Sequence, residues 1–405
     1  MLLISTSWVQ SSILKQITQN FEKSTQQQIN FDKISLKWNG KFELSGVFIG
    51  DHHDDTLAYV KKIRASFYDL NRLQQNDFNF DELDASGVYL NIKKYPNETF
   101  HSLKVLVQKL KNVKAKKNES IFNVEKLSLI ESQFTYSDLN SENKAVQLVN
   151  LGAEASKIIF KGDTLSLNLS LLDGKINSPF GENIKTKAKV LYHPGVLELE
   201  EWELFAEENS LMGSLSLYGK DNSFQDFLNK GRFELNVQKS QWNLSPFLIG
   251  KSWGEELNLF SAQFYVSGAL NDLKVESLLL NHEEFDFSGG LSVQNFLDQN
   301  SSWQLNLEEA SVSTDRLTDN IKSLAGINKY LKIERIQFEG RIESKANQID
   351  FSLNSNNSWG NFITSGFFNS GVFFSEKAEK TFFIKSDFES MKLIPPMGSK
   401  AAVKW

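Results

Sequence analysis

The stretch TLSLNLSLL, residues 164–172, alternates apolar and polar side chains along its length. One parity holds Leu165, Leu167, Leu169 and Leu171, and the other holds Ser166, Asn168 and Ser170. Successive side chains of a β-strand point to opposite faces of the sheet, so this segment has one apolar face and one polar face. Short stretches of the same kind, separated by turn residues, run along most of the sequence. The pattern predicts a large sheet with a long apolar side.

The composition limits the class of protein. A length of 405 residues fits two or three compact domains, or one continuous repetitive sheet. The apolar fraction of 40% is sufficient for a folded core. The formal charge is −6 and no basic stripe stands out, so we expect no nucleic-acid partner. The absence of cysteine excludes disulfides and thiolate metal sites within these residues.

Two further segments share the alternation of residues 164–172. An acyl chain gains about 0.8 kcal/mol for each CH₂ removed from water, and a carrier of such chains needs a floor without buried charge. The same-parity candidates for this floor are Leu165, Leu167, Leu169, Leu171, Leu211, Leu215, Leu217, Phe285, Phe287 and Leu291. The alternation equally fits the sealed interior of a β-sandwich, in which two sheets bury each other. We predict a mostly β protein with an elongated, curved, antiparallel sheet that forms an apolar groove.

Helical spacing interrupts the strand pattern in a few places. Residues 8–28 read as an N-terminal amphipathic helix, and residues 101–113, 223–230 and 313–325 as shorter helices. The apolar start of the chain is much shorter than the roughly 20 apolar residues of a membrane span. It fits the end of such a span or a helix that touches a membrane. The candidate membrane-proximal residues are Leu2, Leu3, Ile4, Trp8 and Val9.

A short repeat supports a modular sheet. Ser45-Gly46-Val47-Phe48-Ile49 recurs as Ser86-Gly87-Val88-Tyr89-Leu90, with a looser copy at Ser132-Gln133-Phe134-Thr135-Tyr136. Each copy closes a unit of roughly 40 residues, a period typical of stacked sheet modules.

Residues that could carry chemistry are sparse. The one dense cluster is Asp51-His52-His53-Asp54-Asp55, which has the donors to bind a divalent cation weakly. We favour a polar turn, because adjacent residues of a turn point apart. No P-loop, dinucleotide-binding fingerprint or nucleophile elbow is present. We predict a non-enzymatic protein without a cofactor or a metal site, and acidic pairs such as Glu198 with Glu200 leave a sugar-active enzyme as an alternative.

The N-terminal region carries a family resemblance. Ser7-Trp8-Val9-Gln10, the amphipathic helix, the run ISLKWNGKFELSGVFIGD at 34–51 and Asp55-Thr56-Leu57 resemble the start of TamB-type translocation and assembly proteins, which belong with the AsmA-like group of Gram-negative bacteria. A weaker likeness continues through VSGALNDL at 266–273 to about residue 390. The resemblance implies a periplasmic protein, anchored in the inner membrane in full-length relatives, that extends as a curved β-groove.

The same resemblance implies partners and a division of the chain. It implies that the groove carries phospholipid acyl chains toward the outer membrane and that the family assists outer-membrane protein assembly and secretion with a barrel partner. The sequence pattern and the resemblance together give these segments: an N-terminal helix and anchor end (1–30), an AsmA-like β-unit (31–100), a helix and linker (101–120), a repetitive β-groove (121–390) and an irregular tail (391–405). We expect this chain to be a segment of a longer bridge. The alternative function is an adhesive or partner-binding β-sandwich module without lipid transport.

Overall fold

The computed structural model describes most of the strand-rich part of the chain. The described residues are 18–19, 22–23, 25–36, 41–67, 78–114, 121–140, 145–176, 182–224, 227–243, 259–269, 271–283, 285–295, 301–313, 335–345, 348–357, 360–369 and 382–391. The fold divides into two compact units, an N-terminal unit, Met1–Ser210, and a C-terminal unit, Leu211–Trp405. This division falls inside the range 121–390 that the sequence assigns to one repetitive groove.

The described residues of the N-terminal unit form ten strands. They are β1 (Ile29–Asn30), β2 (Lys33–Leu36), β3 (Lys41–Gly50), β4 (Thr56–Phe67), β5 (Phe78–Lys94), β6 (Ile121–Asp138), β7 (Val146–Lys161), β8 (Thr164–Ile176), β9 (Asn183–His193) and β10 (Val196–Ala206). Strands β1 and β2 both pair with β3. From β3 to β10, each strand pairs with the next one along the chain. The predicted β-rich sheet is confirmed in this unit.

One strand pair departs from the predicted antiparallel arrangement. Strands β5 and β6 run parallel, whereas the other pairs of this unit are antiparallel. Parallel neighbours need a long crossover connection, and here it contains the helix α1 (Ser102–Lys114), which contacts β5. The spacing of residues 101–113 predicted this helix. The sequence did not predict that the connection through this helix returns the chain to the end of the sheet at which β5 begins, so that β6 pairs with β5 in parallel.

In the C-terminal unit, the residues that the structure describes form ten further strands and one short helix. They are β11 (Asn209–Tyr218), which begins just before the unit boundary, α2 (Phe227–Lys230), β12 (Arg232–Trp242), β13 (Phe260–Ala269), β14 (Asp272–Asn281), β15 (Phe285–Gln294), β16 (Ser302–Ser313), β17 (Arg335–Lys345), β18 (Gln348–Asn357), β19 (Gly360–Asn369) and β20 (Phe382–Met391). From β12 to β20, each strand is antiparallel to its sequence neighbour. This arrangement confirms the antiparallel prediction for these strands.

β-Bulges interrupt most of the strand pairs near their middle. A bulge places two residues of one strand opposite one residue of its partner, so that the alternation of faces changes phase. The residues Glu131, Asn150, Lys157, Glu201 and Ser277 have positive φ values within such strands. Each lies at an interruption of the register. These bulges decide which leucines share a face.

The glycines of the short repeat occupy matching places in the sheet. Gly46 and Gly87 have φ values of 60° and 59°, and the register places both opposite Lys61 of β4. A Cβ atom at Gly46 would lie 1.8 Å from the Asp32 carboxylate, so only glycine fits there. In β6 the residue beside Gly87 is Glu131, with a φ of 50°. The looser copy of the repeat therefore lies two residues out of structural register.

The predicted helices have different outcomes. The described residues between 18 and 25 are helical, in agreement with the helix predicted over residues 8–28. Residues 227–230 are helical within the predicted segment 223–230. The helix predicted over 313–325 lies outside the described residues except for Ser313, which ends β16. Most of the irregular tail 391–405 also lies outside them.

Candidate functional site

An unbroken row of apolar residues crosses the C-terminal unit. Residues that face each other across paired strands share one face of the sheet. The register joins one such residue from each strand between β12 and β20, in the order Leu235, Val266, Val275, Leu291, Leu305, Ile342, Phe351, Gly366 and Ile384. No polar side chain interrupts this C-terminal apolar row.

The side chains of this row are only partly covered. Val266 is 9% exposed and Ile384 is 58% exposed. The other members are half-buried. A second series of apolar residues lies on the same face, beside this row. In it Leu280 pairs with Phe287, and Phe287 pairs with Ala310. The half-buried members of the row thus keep part of their apolar surface accessible.

A row of polar residues crosses the opposite face of the strands from β12 to β18. The neighbouring residues in sequence form their own row across β12 to β18, in the order Glu234, Ser267, Lys274, Ser292, Gln304, Glu343 and Asp350. Charged members of this row form ion pairs along their strands, such as Lys274 with Glu276 and Arg341 with Glu343. This row is therefore polar from β12 to β18, and the register continues it through the apolar residues Phe367 and Phe383 in β19 and β20.

The N-terminal unit has a corresponding row with one polar member. Its residues are Ile34, Leu44, Ile63, Ala85, Leu129, Ala153, Leu172, Thr186 and Leu204, one from each strand between β2 and β10. The Thr186 hydroxyl donates a hydrogen bond to the Glu203 carbonyl (2.7 Å) and accepts one from Trp202 Nε1 (2.9 Å). The polar member of this N-terminal apolar row is therefore satisfied within the sheet.

The candidate leucines of β8 divide between the two faces. Leu165, Leu167 and Leu169 pack against a buried cluster formed by Ala65, Phe80, Val124, Ala155 and Ile158. Leu171 was predicted to share their face, and this prediction is wrong. Leu169 pairs with Ala155, whereas Leu171 pairs with the exposed Glu154. A bulge before Leu171 reverses the alternation and places Leu172 in the row instead.

The remaining candidates for the apolar floor lie in the C-terminal unit. Phe285, Phe287 and Leu291 share one face of β15, because their partners in β16 are Val312, Ala310 and Leu305. All three are half-buried. Leu211, Leu215 and Leu217 lie in β11, where Leu211 is 5% exposed and the other two are half-buried. Sequence reasoning missed Leu305, Ile342 and Phe351, although each alternates with polar neighbours in its strand.

A cluster of polar residues joins three turns at one end of the N-terminal sheet. His52 Nε2 lies 2.8 Å from one carboxylate oxygen of Glu98, and His53 Nε2 lies 2.7 Å from the other. The ring of Tyr95 contacts both imidazoles, with its centroid 5.6 Å from that of His52 and 3.9 Å from that of His53. The turn after β6 joins through Asn140, whose side-chain amide donates to the Tyr95 carbonyl at 3.2 Å.

Asp51 organises the turn that carries the two histidines. Its carboxylate is almost fully buried and accepts hydrogen bonds from the backbone N–H groups of His53 (2.8 Å) and Asp55 (3.0 Å). The Tyr95 hydroxyl lies 2.7 Å from carboxylate oxygens of both Asp51 and Asp55. Burial, and then these hydrogen bonds, raise the pKa of Tyr95. Hydrogen bonds from His53 and His52 lower the pKa of Glu98.

This geometry differs from the expectation for adjacent histidines. Their side chains were expected to point apart, but their Nε2 atoms converge on the same carboxylate. The acidic partner lies more than forty residues away in the sequence, at the turn after β5. Only the pairing of β3, β4 and β5 brings these turns together. The part of the chain that the structure describes offers this one group of histidine and acidic side chains with metal-binding spacing.

The candidate membrane-proximal residues lie outside the described part of the chain. They are Leu2, Leu3, Ile4, Trp8 and Val9. Among the described helices, none combines the length and the apolar character that crossing a bilayer requires.

The chain was compared with known proteins. Protein-family models, curated proteins and solved structures gave no match to this chain.

Proposed function

We propose that this chain carries phospholipid acyl chains along its apolar rows, as a TamB-like periplasmic protein of outer-membrane biogenesis. The proposal is non-enzymatic, and it includes attachment to the inner membrane in the full-length protein and assistance to outer-membrane protein assembly and secretion with a barrel partner. The class of protein rests on the N-terminal resemblance. The carriage of acyl chains rests on the sheet itself.

The observation that carries this proposal is the continuity of the C-terminal apolar row. It passes through nine consecutive strands without a polar side chain, from Leu235 to Ile384. Adjacent strands lie about 4.8 Å apart, so eight steps cover about 38 Å of apolar surface. A row of this length offers hydrocarbon contact to a whole acyl chain.

The energetics favour a hydrocarbon ligand on this surface. Burial of about 16 methylene groups, at about 0.8 kcal/mol each, is worth on the order of 10 kcal/mol before the losses of association. A charge in the row would oppose binding by several kcal/mol. The neighbouring polar row holds Glu234, Lys274, Glu343 and Asp350, and these charges lie on the opposite face from the apolar row. This segregation of charge is what an acyl-chain carrier needs.

The partial exposure of the row favours carriage over a sealed sandwich. In a β-sandwich the inner-face side chains of two sheets bury each other. Here most members of the C-terminal apolar row are half-buried, and the strands from β12 to β20 form one hydrogen-bonded series rather than two sheets. A bound hydrocarbon chain would cover this partly exposed apolar face and remove it from water, which is favourable.

The test is lipid co-purification measured by mass spectrometry. The purified chain is expected to carry phospholipid, and the double substitution Leu167→Asp with Leu169→Asp is expected to reduce the amount bound. The matched control is Ser166→Asp with Asn168→Asp, which adds the same charges to the same strand on the other face. Because Leu167 and Leu169 contact the buried cluster, far-UV circular dichroism establishes that each variant is folded.

A second pair keeps the test independent of that cluster. Leu291→Asp is expected to reduce bound lipid, and Ser292→Asp is expected to leave it unchanged. A folded wild-type chain without lipid, or folded apolar-face variants that retain as much lipid as their controls, would contradict the proposal. A sealed sandwich would give the first of these results.

A further inference from the structure

We propose that His52, His53 and Glu98 form a binding site for a divalent transition-metal ion, and that Zn²⁺ is the ion that these ligands suit best. The site is independent of the apolar rows. It lies at the turn between β3 and β4 and at the turn after β5, within the N-terminal unit.

The ligand atoms already lie close to the geometry of a zinc site. Two imidazole Nε2 atoms and a Glu98 carboxylate oxygen all lie within 4.8 Å of one another. Tetrahedral zinc with ligand bonds of about 2.1 Å has ligand atoms about 3.4 Å apart. The present separations of 2.7 Å and 2.8 Å between imidazole nitrogen and carboxylate oxygen need to open by only about 0.6–0.7 Å to admit the ion.

The two histidines are held in place before any ion binds. The buried carboxylate of Asp51 fixes the backbone of the turn through the N–H groups of His53 and Asp55. Tyr95 packs edge-on against His52 and at a tilt of 33° against His53. A preorganised site loses less conformational entropy when its ligand binds.

The charge and the protonation chemistry also suit a metal cation. The turn and its neighbours hold the carboxylates of Asp51, Asp54, Asp55 and Glu98, against the nearby ammonium of Lys93, which lies 2.8 Å from Asp55. The site therefore has an excess of negative charge. His52 Nδ1 has no hydrogen-bond partner among the described residues, so it can hold the ring proton when Nε2 binds metal.

The choice of zinc follows from the ligand types. Neutral imidazole favours zinc, copper and nickel, whereas magnesium and calcium prefer oxygen ligands. Two histidines and one glutamate give three protein ligands, and the fourth position of a tetrahedral ion stays open for water. His53 and Glu98 side chains are 44% and 29% exposed, so the ion has access from solvent.

The test is calorimetric titration of the tag-free, chelator-stripped full chain with ZnCl₂. We expect one Zn²⁺ per chain, and at least tenfold weaker binding for His53→Gln and for Glu98→Gln. The matched control, His193→Gln, removes a histidine at the end of β9 and is expected to bind like the wild type. Titration with MgCl₂ is expected to give no comparable binding.

Spectroscopy separates loss of the site from loss of the fold. With Co²⁺ in place of Zn²⁺, the wild type should show the visible absorption of a tetrahedral ion, and folded His53→Gln should lose it. Circular dichroism in a chelator identifies a variant that fails to fold, and Glu98→Gln then serves as the second variant. Absence of stoichiometric Zn²⁺ binding, or equal binding by folded variants and wild type, would overturn the proposal.

Discussion

Leu169 and Leu171 lie on opposite faces of the sheet, although a single residue separates them in one strand. Leu169 pairs with Ala155 on one side and Ala188 on the other, and both alanines are buried. Leu171 pairs with the exposed Glu154. An extra residue in the bulge changes the phase of the alternation. The N-terminal apolar row therefore continues through Leu172.

This bulge gives a sharp prediction for two adjacent leucines. Leu172→Asp puts a charge in the N-terminal apolar row, and we expect it to lower acyl-chain affinity by at least about tenfold, since a buried charge costs several kcal/mol. Leu171→Asp puts the same charge on the face of Glu154, and we expect affinity within about twofold of the wild type. Titration with a fluorescent phospholipid measures both. Equal losses in the two folded variants would show that the faces are assigned wrongly.

The sequence predicts strands well, because their signal is local. The alternation in residues 164–172 and the helical spacing of 101–113 both appear in the structure. Phe285, Phe287 and Leu291 share a face as predicted, because no residue is inserted into β15 between them. In a strand without a bulge, residues two apart in the sequence lie on the same face of the sheet.

The errors come from features that depend on pairing. The bulge before Leu171 contains no glycine, so the sequence does not predict it. Glu131 likewise has a positive φ although its residue type does not favour one. The parallel pairing of β5 with β6 depends on where α1 returns the chain. The convergence of His52 and Glu98 depends on two turns that meet only after three strands have paired. Such contacts leave no periodic signal.

The repeat glycine Gly46 should be intolerant of any side chain. Its φ of 60° disfavours other residues, and an added Cβ would meet the Asp32 carboxylate at 1.8 Å. We expect Gly46→Ala to lower the free energy of unfolding by at least about 1–2 kcal/mol. Urea denaturation measures this change. The control is Gly50→Ala, where the nearest atom would be 3.6 Å away, and a loss there as large as at Gly46 would refute the explanation.

We predict that the hydroxyl group of Thr186, within an otherwise apolar row, is required for the full stability of the fold. It donates to the Glu203 carbonyl and accepts from the indole N–H of Trp202. Thr186→Val keeps the shape but leaves both partners without this bond, so we expect a loss of about 1–3 kcal/mol in unfolding free energy. Thr186→Ser retains the hydroxyl and should recover most of it. If valine proves as stable as threonine in chemical denaturation, the hydrogen bonds do not stabilise this strand pair.

The ion pairs of Glu43 should make stability depend on pH in the acid range. A hydrogen bond from Lys62 at 2.9 Å, aided by Arg64, lowers the pKa of Glu43 below its ordinary 4.5. The unfolded chain therefore takes up this proton at a higher pH than the folded chain does. The stabilisation is present above about pH 4.5 and disappears as the pH falls through the lowered pKa.

Glu43→Gln isolates this contribution. At neutral pH the variant should be less stable by no more than about 1 kcal/mol, because the pair is partly exposed to solvent. The difference from the wild type should shrink in acid and also at high salt, which screens exposed charges. Unfolding free energies at several pH values measure it. A difference that grows as the pH falls would contradict this sign.

Photo-cross-linking at neighbouring positions tests the proposed lipid carriage most directly. A photoreactive side chain is placed in turn at Leu291, Leu305 and Ile342 of the C-terminal apolar row, and at their sequence neighbours Ser292, Gln304 and Glu343 of the polar row. After incubation with phospholipid vesicles, the account predicts lipid adducts at the first three positions and few at the others. Adducts distributed without regard to face, or absent from the apolar row, would contradict it.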